Sequence, residues 1–146
     1  MATLKEIAPG CAHLNDAEFV DAFEKSVLRP EWFHHADHVR LAWLYVTQHD
    51  YAAAEKRFHE GLVKLAAHFG VPEKFHFTMT MAWLRAVQVR IAGNGETSFV
   101  RWIGNHLELL DRDFLLNYYS KDRLAGAEAR AGWLDPDRKA LCQTAR

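Results

Sequence analysis

Hydrophobic positions recur along this chain at helical spacing, and two stretches are apolar nearly all the way round. From Val39 to Val46 only Arg40 is charged. From Phe75 the chain runs through Met79, Met81, Trp83 and Leu84 to Val87 and Ile91, with Arg85, Gln88 and Arg90 the clearly polar residues of its later half. A helix without a broad polar face is a buried helix, so both belong at the centre of the fold. The alternation Phe75-Phe77-Met79-Met81, with Thr78 and Thr80 between, also fits a strand, but the continuation from Ala82 to Ala92 favours a helix.

Amphipathic stretches surround these two. A helix capped by Asn15 or Asp16 runs to about Val27, with Phe19, Val20 and Phe23 on one side, and Arg29-Pro30 ends it. The first central helix starts between Glu31 and Ala36 and reaches Gln48. Asp50 caps the next, Tyr51 to Phe69, whose inward stripe is Phe58, Leu62, Leu65 and Phe69, and Gly70 and Pro72 close it. The second central helix covers about Glu73 to Ala92 and stops at Gly93-Asn94-Gly95. Shorter helices follow over Phe99 to Leu109, Asp111 to Tyr118 and Arg123 to Ala131. Residues 1–14 and 133–146 read as irregular tails. The prediction is all-α: a single-domain helical bundle of five to seven helices spanning 1–146, with the second and fourth helices central.

The chain has 146 residues, and five Trp and nine Phe supply bulk for a core. A formal net charge of −1, with basic residues scattered, gives no electrostatic reason to expect nucleic acid or an acidic membrane as partner. The expected partner is a small molecule, with the oligomeric state left open. No transmembrane-length apolar run and no signal-peptide pattern is present, so a cytoplasmic protein is expected. Cys11 and Cys142 fall in the two tails and are expected as reduced thiols rather than a disulfide.

Nine histidines are the compositional oddity, and three of them, His34, His35 and His38, open the first central helix. In an up-and-down bundle the two central helices are parallel and start at one end, which brings His76 alongside and carries His68 and His106 to the same end. Helical phase puts His35 and His38 on one face, His34 with Asp37 on another, His76 inward with Thr80 and Trp83, and His68 on a polar face. His35, His38 and His76 are therefore expected to converge. Three imidazoles with an open position suit a divalent transition metal, whether iron, copper or zinc. Glu31, Asp37, His34 and His106 are candidates for a fourth ligand, and Asp37, Thr80 and Tyr119 for catalytic groups. Helix N-termini carry partial positive charge, which opposes a cation but keeps histidine neutral, and a neutral imidazole serves a metal and a metal-free base alike. The plainer alternatives are a hydrogen-bonded pair for His35 and His38, a carbonyl-bonded core residue for His76, and a solvated Arg40. The chain has no H-E-x-x-H, C-x-x-C, P-loop, G-x-G-x-x-G or G-x-S-x-G motif.

Phe33, His35, Asp37, His38, Arg40, Ala42 and Trp43 spell F-x-H-x-D-H-x-R-x-A-W; His76, Thr78 and Thr80 follow, then Tyr118, Tyr119, Ser120, Leu124, Ala129, Arg130, Pro136 and Asp137. In these residues, from about 20 to 137, the chain resembles a family of uncharacterised bacterial proteins of similar length. The resemblance implies which residues form a site and names no activity. That family often has Glu between the middle His and Thr, where this chain has Phe77, so an acid/base role there is not implied. The function expected from the residues is that of a small metalloprotein, a metal-dependent enzyme on a partly hydrophobic molecule. The alternatives are a metal-free enzyme or binding protein using the histidines for acid/base or hydrogen-bonding work, and a non-catalytic interaction module.

Overall fold

Three of the four long helices begin where a side chain captures a first-turn amide, and the other begins where a first-turn carboxylate reaches back to the residue before it. In the computed structural model, which describes residues 2–91 and 98–141, α1 is a single turn over Leu4–Ile7. Helix α2 covers Asp16–Glu24, with Asn15 accepting from the Glu18 amide at 2.8 Å. Helix α3 covers His35–Gln48, and Asp37 in its first turn accepts from the His34 amide at 3.0 Å. Helix α4 covers Tyr51–His68, with Asp50 accepting from the Ala53 amide at 2.9 Å. Helix α5 covers Phe77–Gln88 and uses His76 as its cap. Short helices α6 (Phe99–Ile103), α7 (Lys121–Ala125) and α8 (Ala127–Ala131) follow. The described residues contain eight α-helices and no strand, an all-α fold with one more helix than the pattern predicts.

Helix α3 is buried without a break from Val39 to Val46 and packs on α2, α4, α5 and α6. Helix α5 buries Thr78, Met81, Ala82, Leu84, Ala86 and Val87 and packs on α3, α4 and α8. These are the two central helices that the apolar runs predict. Helix α4 buries one stripe, Ala54, Phe58, Leu62 and Leu65. Its other side is not all solvent, because Gly61 backs directly onto the Phe23 ring and a Cβ there would collide with it.

Several expectations are corrected. Residues up to 14 are not an irregular tail. A 3-10 turn at Pro9–Cys11 follows α1, and Cys11 is completely buried. What draws this segment in is Arg40, which is buried rather than solvated. Its guanidinium donates to the Cys11 carbonyl at 3.0 Å, the Leu14 carbonyl at 2.9 Å and the Asp16 carboxylate at 3.0 Å, and lies over the Phe19 ring. Cys11 is a free thiol that burial pushes up to about 12; Cys142 and Gly93-Asn94-Gly95 lie outside the described residues. Helix α5 starts four residues later than predicted because Pro72–Lys74 forms its own 3-10 turn and Phe75 is extended. Helix α2 ends at Glu24, and Ser26 turns the chain with φ 56°. The regions predicted as helices over 99–109 and 111–118 hold α6 and two 3-10 turns, Leu107–Leu110 and Phe114–Asn117. The helix predicted over 123–131 is split at Gly126.

Beyond α8 the described residues run without helix across α5 and are pinned there. The Thr78 hydroxyl donates to the Gly132 carbonyl at 2.6 Å and accepts from the Leu134 amide at 3.1 Å. Among the described residues no helix is long and apolar enough to cross a membrane.

Candidate functional site

Faces of α3, α4 and α5 at helical spacing line a half-open cavity of about 940 Å³. Helix α3 contributes His35, His38, Val39 and Ala42; α4 contributes Phe58, Leu62, Leu65, Ala66 and Phe69 at its end; α5 contributes Met79, Thr80, Trp83 and Val87, with His76 at its cap. Phe33, Phe75, Leu110, Lys74 and Arg112 close the rim. Large apolar side chains dominate the wall, and a few polar groups converge on it, as is usual in small-molecule sites.

His34, His35, His38 and His76 all line this cavity, but their nitrogens are committed differently. His76 uses both: Nδ1 accepts from the Met79 amide at 3.1 Å and Nε2 donates to the Leu124 carbonyl at 2.8 Å. The two partners assign the tautomer and leave no lone pair free. His35 Nε2 donates to the Leu109 carbonyl at 2.9 Å, which leaves Nδ1 as an acceptor, and its ring lies 4.6 Å from that of Trp83. His38 packs on Phe33 with ring centroids 4.0 Å apart, and neither of its nitrogens has a hydrogen-bond partner among the described residues. His34 is exposed, and its Nε2 donates to the Glu31 carbonyl at 2.7 Å.

Burial holds His38 neutral by bringing its pKa down to about 4, and the neighbouring His35 acts in the same direction. His35 is also lowered, first by burial and then by the charge of Arg112, against the Leu109 bond and Asp111, which raise it. The site thus presents neutral imidazoles at ordinary pH, one with two open nitrogens and one with a single open acceptor.

The other candidates are placed elsewhere, except Thr80. Thr80 lines the cavity, and its hydroxyl makes no hydrogen bond among the described residues. Asp37 is fully buried and accepts from the Cys11 and His34 amides, each at 3.0 Å, so its carboxylate holds backbone and orients no imidazole. The Tyr119 hydroxyl donates to the Leu134 carbonyl at 2.7 Å, away from the cavity. His68 is exposed where α4 ends, and His106 lies in the turn after α6 against Trp102; neither lines the cavity. Among the described residues no group of three or more His, Cys, Asp or Glu is arranged as a metal site. The rim cations Lys74 and Arg112 carry no local signal in the sequence; both come from short connections that only the fold brings to the cavity.

No family model, curated protein or solved structure matches the chain.

Proposed function

We propose that this protein binds a small, largely apolar molecule in the cavity between α3, α4 and α5, and that His38 meets a polar group on the body of that molecule as a neutral hydrogen-bonding group and proton acceptor. The observation that carries this reading is the state of His38. It stands on the wall of a roomy cavity, both nitrogens lack a partner among the described residues, and burial keeps it uncharged. The ring is half-buried and its nitrogens keep contact with solvent in the cavity, so they stand open to a ligand's polar group. Thr80 and the open Nδ1 of His35 add a hydroxyl and a second acceptor to the same wall.

The test is titration of the full chain with naphthylethanol, a neutral aromatic alcohol, followed by calorimetry and histidine NMR. Saturable one-to-one binding that shifts the His38 ring signals, and weakens several-fold in His38→Leu, supports the reading. A histidine spectrum that does not move, with no heat of binding from this alcohol or from its carboxylate and ammonium counterparts, sinks it.

A metal-dependent reading rests on the same pair. His35 and His38 stand one turn apart and offer the open Nδ1 of one and either nitrogen of the other. Iron, copper or zinc held by these two would need its remaining ligands from water or substrate, since His76 is engaged by Met79 and Leu124. This reading predicts a thermal shift on metal addition that His38→Ala abolishes and His76→Asn keeps; no shift with any of the three metals overturns it.

A further inference from the structure

We infer that the ligand is acidic: an apolar, preferably aromatic molecule carrying one carboxylate, with its body inside the cavity and the carboxylate drawn to the exposed cations of the lining, Lys74 and Arg112. This rests on the reading of the cavity as a ligand site. The cavity lining holds two full cations, Lys74 and Arg112, and among its described residues no Asp or Glu. Among the described residues neither cation is in an ion pair, so both charges are open to a ligand.

Position decides which part of a ligand these cations meet. Lys74 and Arg112 are both exposed, so they can neutralise a head group that keeps part of its water. That avoids the penalty of carrying an ionised carboxylate into an apolar interior. The interior beneath them, with Phe58, Leu62, Leu65, Phe69 and Trp83, suits an uncharged body. A guanidinium matches a carboxylate in two-point geometry, and an ammonium adds a second charge without fixing orientation. A cationic ligand would meet like charge at the same mouth.

Three isosteric probes test this on the full chain by calorimetry at low salt: naphthylacetate, naphthylethanol and naphthylethylammonium. Naphthylacetate is expected to bind about tenfold or more tighter than naphthylethanol, with the ammonium weakest. In the double variant Lys74→Gln, Arg112→Gln the acetate should lose its advantage and fall to within about twofold of the alcohol measured on the same variant. Both substitutions are at exposed positions, and circular dichroism confirms the fold. If the alcohol binds as tightly as the acetate, or the double variant keeps the acetate's full advantage, the acidic-ligand inference is overturned while the pocket stands. If none of the three probes binds, the inference and the ligand-site reading both fail.

Discussion

At the scale of single residues, the histidines divide by what their nitrogens touch. His38 has a folded-state pKa of about 4, below the ordinary histidine value, because burial disfavours its charged form. The unfolded chain therefore binds a proton that the folded chain refuses. Stability from this residue is fully present above about pH 6.5 and is lost as pH falls toward about 4. His35, lowered first by burial, acts in the same sense. Urea unfolding should give about 1–2 kcal/mol less stability near pH 5 than near pH 7, and His38→Leu should flatten that slope. A slope unchanged in the variant would mean that His38 is not buried neutral. His76 has the opposite character, bonded at both nitrogens. His76→Ala should cost about 1–2 kcal/mol through the lost cap and carbonyl bond. His76→Asn, which keeps the capping acceptor, should recover roughly half of it.

At the scale of elements, Arg40 holds the N-terminal segment onto α3. Three acceptors from Cys11, Leu14 and Asp16 meet one guanidinium that is 0% exposed. A lysine ammonium lacks the planar fork needed to reach all three. Arg40→Lys should therefore cost about 2–3 kcal/mol in chemical unfolding and make the Cys11 thiol react faster with a thiol reagent; parent-like reactivity would show that the segment is held by something else. This clamp also marks where the sequence stops being readable. The apolar runs from Val39 and from Phe75 reveal the central helices because period and composition are local. Asn15 and Asp50 reveal helix starts for the same reason. Arg40 reads locally as a polar exception in an apolar helix, and its burial depends on carbonyls 29 and 26 residues earlier. His76 likewise finds Leu124 across 48 residues. Helical phase brings His35, His38 and His76 toward one place, but the partner of each nitrogen, which decides what the ring can do, is a tertiary fact.

At the scale of the whole molecule, the cavity is a half-open cleft that reaches from the surface in between the central helices. Its walls are the inner faces of three helices and include two small residues, Ala42 of α3 and Ala66 of α4. Such a void forfeits packing contacts that larger side chains would make. Ala66→Phe should place a ring in that space. Ala66 is only part-buried, so the added ring has room, and stability should hold or rise by about 1 kcal/mol from the extra apolar burial. The same substitution should abolish naphthylethanol binding, together with the rise in unfolding temperature that a saturating ligand gives the parent chain. Loss of binding without loss of stability would separate the cavity's role as a receptacle from any role in holding the fold. A drop of more than about 2 kcal/mol would instead show that this wall is already closely packed in solution, since overpacking has that signature.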